Sequence, residues 1–425
     1  MIKLSSGGPG AAGAAGAAGA AGARLLARAG YGVLVIGSLA LAGCGAATAS
    51  ASSTGTGSAT TASQTSSGSA SDLGGNTSAS ASFAVQSMTF VSDQQGFALG
   101  TVKCGSRRCE ALLGTGNGGR TWRKLTAPVK NAAGPYNTCP TSKTCVSQMR
   151  FATQKIGYAF DPSLFVTTDG GVHWSQVTGP TVSSLEAADG NAVRVEYKGM
   201  GCGGNPYKVQ SAPIGSANWH TIAAPPILMI CPPVLYRQGE RLVLAGYGNP
   251  AGGVRATAEI ARSADGGAHW KIGPDQCGGK SGYSPAIAIA PPNALVELCR
   301  NQTPVKNSDF GRAWIRVSTN DGASFGPDRT IGVPAGLPTS QTIGYQVAAA
   351  SPSRLLVVVT GQHGSKVLLS PNGGRSWSVT LSLTGSASVV LVGFEDQNTA
   401  RIAQGDTVWT TRNGGQHWTA NHFPA

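Results

Sequence analysis

The sequence predicts an all-β fold, a seven-bladed β-propeller over residues 83–425, and three observations lead to this prediction. An eight-residue pattern recurs along this part of the chain at nearly even spacing. Short stretches typical of β-strands surround each copy, and no amphipathic helical pattern follows Cys44. The composition agrees, because 61 of the 425 residues are glycine and 24 are proline, whereas only 12% are charged, against a usual share of about a quarter.

The repeated octapeptide reads Ser/Thr-x-Asp/Asn-Gly/Asp-Gly-x-x-aromatic. A degenerate copy spans Ala212 to Trp219, and the terminal aromatics lie 41 to 55 residues apart, a period typical of repeat architectures. The six good copies begin at Thr115, Thr167, Ser263, Ser318, Ser370 and Thr411. We therefore predict blades at 83–128, 129–180, 181–226, 227–275, 276–331, 332–384 and 385–425.

Each residue type of the octapeptide has a task in a tight turn between strands. Oxygens of Asp, Asn, Ser and Thr side chains accept hydrogen bonds from nearby backbone N–H groups, and glycine tolerates the positive φ of such a turn. The aromatic is expected to open the next strand and to be buried between neighbouring sheets. The third position holds Asn117, Asp169, Asp265, Asn320, Asn372 and Asn413. The aromatics are Trp122, Trp174, Trp219, Trp270, Phe325, Trp377 and Trp418.

The octapeptide resembles the Asp-box, or BNR repeat, of sialidases, sortilin-type receptors and the propeller assembly factors of photosystem II. In those families the box joins the third and fourth strands of a blade. The resemblance covers 83–425 and implies the same fold; the second unit shows four short strands at 146–151, 157–161, 163–167 and 174–177. It implies little about function, because fold and activity dissociate.

The first 43 residues have the order of a bacterial secretory signal. Arg24 and Arg28 precede an apolar stretch from Tyr31 to Ala42, which is shorter than the roughly 18 residues that span a bilayer. The stretch ends in Leu-Ala-Gly-Cys at Cys44, which resembles the lipobox of bacterial lipoproteins and implies a lipid on Cys44. The alternative is an ordinary signal peptide cut near Ala47.

Residues 44–82 are expected to form a flexible tether. From residue 45 to residue 82, 34 of the 38 residues are Ala, Gly, Ser or Thr, and such a segment cannot build a core. A coil of this length has a root-mean-square span of about 35 Å. We therefore expect a lipid-anchored protein held outside the cytoplasm at the cell surface.

The eight cysteines beyond Cys44 suggest four disulfides in an exported protein. In a four-stranded blade, the loop between the second and third strands and the loop to the next blade emerge at the end opposite the octapeptides. Blade topology narrows the 105 possible pairings without fixing them. We predict Cys104–Cys109, Cys139–Cys145, Cys202–Cys231 and Cys277–Cys299, all on the face away from the octapeptides.

The longest loops fall on that same face, which makes it the candidate binding face. The chain is basic, with a formal net charge of +13, and this favours anionic partners. The basic residues predicted there are Lys103, Arg107, Arg108, Lys130, Lys143, Lys198, Lys208, Arg255, Lys280, Arg300, Lys306, Arg312 and Arg329. The selected candidates are Arg107, Arg108, Tyr136, Lys143, Tyr207, Tyr247, Arg300 and Arg312. The alternative is that these are ordinary solvated loop charges.

Catalysis is the competing interpretation. The resemblance to sialidases implies an arginine triad and a Tyr–Glu couple, but the Arg-Ile-Pro motif of that family is missing, and sialidases have six blades. Glu196 and Tyr197 are adjacent on a strand and face opposite ways. The remaining acids are scattered singly, without the facing pair that glycoside hydrolases need.

Metal and cofactor sites are not expected either. His173, His269 and His417 occupy the same octapeptide position in three blades, so a repeated turn explains them better than a metal site. The preferred hypothesis is a non-catalytic, monomeric propeller that binds an envelope protein or an anionic polymer rather than nucleic acid. A sialidase-like glycoside hydrolase or lyase, and an assembly factor for a membrane complex, are the alternatives.

Overall fold

The fold is that of a seven-bladed β-propeller, seen in a computed structural model. Its described residues are 83–131, 144–179, 181–197, 207–225, 233–247, 258–274, 277, 286–300, 313–332, 342–361, 364–384 and 390–424. The predicted signal (1–43) and tether (44–82), with Cys44, lie outside them. Within the described ranges, no helix has the length and apolarity needed to cross a membrane.

Every blade is an antiparallel sheet of four consecutive strands. Blade 1 holds β1 (Ala84–Phe90), β2 (Gly96–Cys104), β3 (Arg107–Thr115) and β4 (Arg123–Leu125). Blade 2 holds β5 (Gln148–Phe151), β6 (Gly157–Phe160), β7 (Leu164–Thr167) and β8 (Ser175–Val177). Blade 3 holds β9 (Thr181–Ala188), β10 (Asn191–Tyr197), β11 (Tyr207–Pro213) and β12 (His220–Thr221). Blade 4 holds β13 (Val234–Gln238), β14 (Arg241–Tyr247), β15 (Ala258–Ser263) and β16 (Lys271–Pro274).

The remaining three sheets repeat this order. Blade 5 holds β17 (Ala286–Ala290), β18 (Ala294–Arg300), β19 (Ala313–Ser318) and β20 (Arg329–Ile331). Blade 6 holds β21 (Thr342–Ala349), β22 (Leu355–Gly361), β23 (Gly364–Ser370) and β24 (Ser378–Thr384). Blade 7 holds β25 (Val390–Phe394), β26 (Ala400–Gln404), β27 (Thr407–Thr411) and β28 (Thr419–His422). All seven sets fall inside the predicted blade ranges.

The sheets close into a ring through their first strands. The first strand of each blade contacts that of the next, and β25 of blade 7 contacts β1 of blade 1. Among the described strands, none is shared between the first and last blades, because each sheet holds four consecutive strands. Closure depends on contacts across this seam: the Val85 N–H donates to the Gly405 carbonyl at 2.9 Å, and Phe83 packs on Phe423.

The hydrophobic core is divided among the seven seams between blades. Each cluster combines buried strand residues of two neighbouring sheets with the octapeptide aromatic of one of them. At the seam of blades 1 and 2, for example, Phe97 stacks on Phe151, and Trp174 meets Phe151 edge-on. A stacked or edge-on pair of rings contributes about 0.5–1.5 kcal/mol to stability beyond the contribution of the buried apolar area. The aromatics lie between neighbouring sheets as predicted, but all seven are only half-buried, at the rim of the seam.

The six good octapeptides form one hydrogen-bonded turn, here called the octapeptide turn, between the third and fourth strands. The first-position hydroxyl accepts the N–H of the fifth residue, as Ser370 does from Gly374 at 2.6 Å. The third-position oxygen accepts the N–H of the seventh residue at 2.9 Å in all six turns. The fourth and fifth residues of each turn have positive φ. The fourth residue is aspartate in blade 5, where Asp321 has a φ of 57°, because Asp adopts the left-handed region more readily than most residues other than glycine.

Three arginines fasten an octapeptide turn to the neighbouring blade. Arg401 of blade 7 donates to the Gly118 carbonyl of blade 1 at 2.7 Å. Arg262 of blade 4 reaches the Asp321 carbonyl of blade 5 at 2.9 Å. Arg329 of blade 5 donates to the Gly373 carbonyl of blade 6, so its predicted place among the basic residues of the opposite face is wrong. All three acceptors are the fourth residue of an octapeptide turn.

Candidate functional site

The two ends of the ring are built differently. One end, the turn face, carries the octapeptide turns and the turns between first and second strands, which are bonded to each other; the Gly118 N–H, for instance, donates to the Gln94 carbonyl at 2.7 Å. The other end, the loop face, carries the turns between second and third strands and the connections between blades. Of the predicted binding residues, Arg107, Arg108 and Tyr207 are described with their side chains and belong to the loop face.

Disulfides lie at the loop face. Cys104–Cys109 closes the hairpin between β2 and β3, and Cys277–Cys299 ties the connection before blade 5 to β18. Both pairs were among the four predicted. Cys145 is also disulfide-bonded, whereas Cys139, Cys202 and Cys231 lie outside the described residues. The disulfides constrain the segments that present the loop-face side chains.

The eight candidate binding residues have different surroundings. Arg107 is exposed at the tip of the Cys104–Cys109 hairpin. Arg108 donates from Nη2 to the carbonyl oxygen of Thr101 at 2.8 Å, so its guanidinium already serves its own hairpin. The Tyr207 hydroxyl donates to the Pro225 carbonyl at 3.3 Å, and its ring packs on the core. Tyr136, Lys143 and Arg312, and the side chains of Tyr247 and Arg300, lie outside the described residues.

The loop face is nevertheless strongly basic. Among side chains that the structure describes, two partly or fully exposed carboxylates lie there, Asp161 and Asp406. A third acid, Glu110, is 6% exposed, and burial holds its pKa well above the usual range. The bases of this face are Lys103, Arg107, Arg108, Lys130, Lys208 and Lys366. The described loop face therefore has an excess of positive charge.

The turn face carries acids and bases side by side. Its described acids are Asp93, Asp169, Asp189, Glu240, Asp265, Asp321, Asp328, Glu395 and Asp396. Its described bases are Arg120, Arg123, Lys124, Lys155, Arg241, Arg262, Lys271, Arg316, Arg329, Arg354, Arg375, Arg401 and Arg412. Several of these charges are paired, as Arg241 is with Asp321 at 2.5 Å. Among the described residues, the bases of the turn face therefore have acidic neighbours, whereas the loop face is poor in accessible acids.

A polar cluster beside the ring axis was not found by sequence reasoning. The only charged residues on the seven innermost strands, all within the described ranges, are Arg150, Glu186 and Arg237, on three consecutive blades. Arg150 Nε lies 3.0 Å from both carboxylate oxygens of Glu186. Tyr236 lies on the strand next to Glu186. The signal that could have found the cluster was the scarcity of charge on every other innermost strand.

Burial dominates the electrostatics of this axial cluster. It raises the pKa of Glu186, and the charge of Arg150 offsets only part of the effect. Burial, with a further contribution from the Glu186 charge, raises the pKa of Tyr236 to about 12. Arg237 is held by the carbonyls of Gly239 and Asn191, both at 2.8 Å. The cluster therefore contains one carboxylate that is already paired, and a phenol that keeps its proton at neutral pH.

Two further groups of residues contain side-chain types that can bind a metal ion, but their chemistry argues against a metal site. Cys277, Glu297 and Cys299 lie together and buried, but the two sulfurs form a disulfide and are not thiolate ligands. The His173 and His269 rings lie 2.6 and 2.7 Å from the Asp169 and Asp265 carboxylates of their own turns. Those histidines belong to the turn structure of separate blades.

Glu196 and Tyr197 do not reach the axis of the ring. Both are buried in β10, the second strand of blade 3, with 7% and 1% exposure. Glu196 lies 3.9 Å from Arg194, whose guanidinium also stacks over Trp219 at 4.3 Å. This pair is therefore part of the packing between blades.

Comparison with known proteins identifies the fold alone. No protein-family model matches the chain, and no curated protein matches it in sequence. An ulvan lyase of polysaccharide lyase family PL25 is similar over 81% of this chain and 99% of its own, at 7% identity and a TM-score of 0.54. YCF48 bound to a D1 peptide is similar over 81% and 95%, at 16% identity and a TM-score of 0.49. A GH93 α-L-arabinofuranosidase of Fusarium graminearum is similar over 76% and 88%, at 13% identity and a TM-score of 0.39. At such identities the chain is similar to these proteins as a propeller.

Proposed function

We propose that this protein is a non-catalytic lipoprotein of the cell envelope, anchored through Cys44, whose loop face binds an anionic polymer. The observation that carries the proposal is the scarcity of accessible acids on the loop face. The loop face presents six described bases against two accessible acids, whereas nine described acids lie among the bases of the turn face. Such one-sided charge attracts polyanions and speeds their association.

The loop-face bases are available for a partner. Lys103, Arg107, Lys130 and Lys208 are exposed, and their side chains make no hydrogen bond or ion pair within the described part of the chain. The Cys104–Cys109 disulfide constrains the hairpin that presents Arg107. A constrained loop loses less conformational entropy on binding than a free one.

The axial cluster favours binding over hydrolysis. Glycosidases need two carboxyl groups about 5 to 9.5 Å apart, and the described innermost strands hold only Glu186. That carboxylate is neutralised by Arg150 at 3.0 Å. Tyr236, with a pKa of about 12, is a poor base at neutral pH.

The polymer-binding test compares the two faces with matched charge reversals. The full chain carrying Cys44→Ser, which cannot be lipidated, is titrated with poly(glycerol phosphate) and with uncharged dextran. Lys103→Glu, Arg107→Glu and Lys208→Glu together should weaken poly(glycerol phosphate) binding at least about tenfold, since each removes an attractive charge and adds a repulsive one. The control combines Lys155→Glu, Lys271→Glu and Arg375→Glu, which are equally exposed on the turn face, and should bind nearly as wild type. Equal losses in both triples, or binding to dextran, would contradict the proposal.

Anchoring is tested separately by labelling cells with a radioactive fatty acid. Wild-type chain should carry the label and sediment with membranes, whereas Cys44→Ser should do neither. Incorporation of label into Cys44→Ser would show that the lipid lies elsewhere.

A further inference from the structure

A cavity of about 510 Å³ opens on the turn face between the last blade and the first. Its size is within the roughly 300–1,000 Å³ of small-molecule sites. Blade 1 contributes its first turn and its octapeptide turn, and blade 7 contributes its octapeptide turn and β28. The principal lining residues are Gln94, Arg120, Arg412, Asn413, His417 and Asn421. The cavity is distinct from the loop face and from the axial cluster.

Blade 7 differs from blades 1, 2 and 6 at a strand position that lines this cavity, whereas blades 4 and 5 carry Gly273 and Arg329 in the same register. Asn421 pairs with Val408, and the residues in the same register of the fourth strand are Leu125, Val177 and Leu381 in blades 1, 2 and 6. Apolar side chains at this position pack on the seam cores in those blades. A polar residue in blade 7 therefore gives up apolar packing and supplies an amide to the cavity.

The octapeptide turn of blade 7 also leaves polar groups unbonded. In blades 2 and 4 the third-position carboxylate binds the histidine ring at the seventh position. In blades 1, 5 and 6 the third-position amide donates to a seventh-position hydroxyl. In blade 7, Asn413 stands beside His417. Its Oδ1 accepts the His417 N–H at 2.9 Å, but its NH₂ group and the histidine ring bind nothing within the described residues.

The charges around the cavity largely cancel. Arg412 lies 3.7 Å from Asp93 and interacts with Asp396. Arg120 is held through Nε by the Asn117 carbonyl at 3.0 Å and keeps its remaining N–H groups. The acids beside Arg412 would repel a polyanion, whereas amides, an imidazole and guanidinium groups suit a ligand rich in hydroxyl groups.

From this geometry we infer that the cavity between blades 7 and 1 binds a saccharide. Each sugar hydroxyl both donates and accepts a hydrogen bond, and the unbonded NH₂ of Asn413, the His417 ring and the amides of Asn421 and Gln94 offer both kinds of partner. A ligand that touches Gln94 on blade 1 and Asn421 on blade 7 would bridge the seam at which the ring closes. Bound saccharide therefore stabilises the closed ring.

The decisive variant is Asn413→Asp. It recreates the Asp–His pair of the turns at Asp169 and Asp265, so the turn is expected to fold, but it removes the NH₂ donor and ties up the His417 ring. Asn372→Asp makes the same substitution in blade 6, away from the cavity, and is the matched control. Asn421→Leu introduces the apolar residue that blades 1 and 6 carry in this register and fills part of the cavity.

The probes are chitotriose and maltotriose, titrated by calorimetry and by ligand-observed NMR on the full chain carrying Cys44→Ser, with inorganic phosphate as the anion control. At least one trisaccharide should bind and raise the melting temperature. Asn413→Asp and Asn421→Leu should weaken that binding at least about tenfold, the loss of one or two hydrogen bonds, and Asn372→Asp should leave it unchanged. Absence of trisaccharide binding, binding of phosphate instead, or equal binding by Asn413→Asp and Asn372→Asp would overturn the inference.

Discussion

The two faces of the ring use their charged residues in opposite ways. On the turn face, arginines such as Arg401 and Arg262 are committed to carbonyls across the seams, and several carboxylates are bound within turns. On the loop face, Lys103, Arg107 and Lys208 are exposed and are not used to hold the fold. The difference teaches that a charged side chain points to a binding partner only when it is not already bonded within the fold.

Removing a committed charge should have the largest effect. Arg401 is 3% exposed and is paired with Glu395; it also donates to Gly118 and Asp93 carbonyls. Arg401→Leu removes its two charge-assisted hydrogen bonds to these carbonyls, each of which contributes about 1.5–3 kcal/mol, so we expect a loss of about 3–5 kcal/mol in the free energy of unfolding. Denaturant titration measures it.

The control for that experiment is Arg375→Leu. Arg375 is exposed on the same face, and such a surface substitution should change the free energy of unfolding by no more than about 0.5 kcal/mol. Equal effects of the two substitutions would mean that the bonds across the closing seam are unimportant.

The next largest loss of stability is expected from a substitution within an octapeptide turn. Ser370 accepts the Gly374 N–H at 2.6 Å and donates to Asn372 at 3.1 Å. Ser370→Ala leaves a buried N–H unbonded, which costs about 1–3 kcal/mol. Ser378→Ala, at an exposed serine after Trp377, should be nearly neutral, and a comparable loss there in thermal unfolding would contradict the assigned role of Ser370.

On the loop face, one buried carboxyl should lower stability at neutral pH. No described residue is hydrogen-bonded to the Glu110 carboxyl group, and burial raises its pKa well above the ordinary value. A raised acid pKa costs stability as the pH rises above about 4.3, the unfolded value. Glu110→Gln should therefore increase the free energy of unfolding at neutral pH by more than the roughly 0.5 kcal/mol of an ordinary surface change.

The control for Glu110→Gln is the same comparison of unfolding free energies at low pH. Near pH 3 both folded and unfolded wild type are largely protonated at this position, so the advantage of Glu110→Gln should vanish. An advantage of equal size at both pH values would show that the ionisation of Glu110 is not its cause.

The smallest expected effect concerns the exposed carboxylates of the turn face. The backbone N–H of His173 and that of His269 hold the pKa of Asp169 and of Asp265 well below the usual range. A lowered pKa stabilises the fold above the unfolded value of about 3.9, and this contribution is lost as the pH falls toward the folded value. The double variant Asp169→Asn, Asp265→Asn should therefore show a weaker fall in melting temperature between about pH 5 and pH 2. A fall as steep as that of wild type would contradict the assignment.

Much of the fold was predictable because the repeat carries its own geometry. The glycine pair and the Ser/Thr and Asp/Asn oxygens specify the turn locally, and regular spacing specifies the ring. In the second blade the predicted strands differ from the observed ones by only one or two residues at their ends. Even the degenerate copy at Ala212 to Trp219 lies between the third and fourth strands.

The contacts between blades could not be predicted, because they join residues far apart in sequence. Arg401 and Gly118 are 283 positions apart, and no local pattern links them. The misplaced Arg329 shows the same limit, since its position in the chain did not reveal which neighbouring turn its guanidinium reaches. Half-burial of Trp174 and the other aromatics also depends on how closely two sheets approach at their rim.

The central claim is that the loop face, rather than the turn face, meets an anionic polymer. Hydrogen–deuterium exchange of the Cys44→Ser chain, with and without saturating poly(glycerol phosphate), tests it directly. The account predicts slower exchange in the Cys104–Cys109 hairpin and at the start of β11, with unchanged exchange in the octapeptide turns. Slower exchange confined to the octapeptide turns would contradict it.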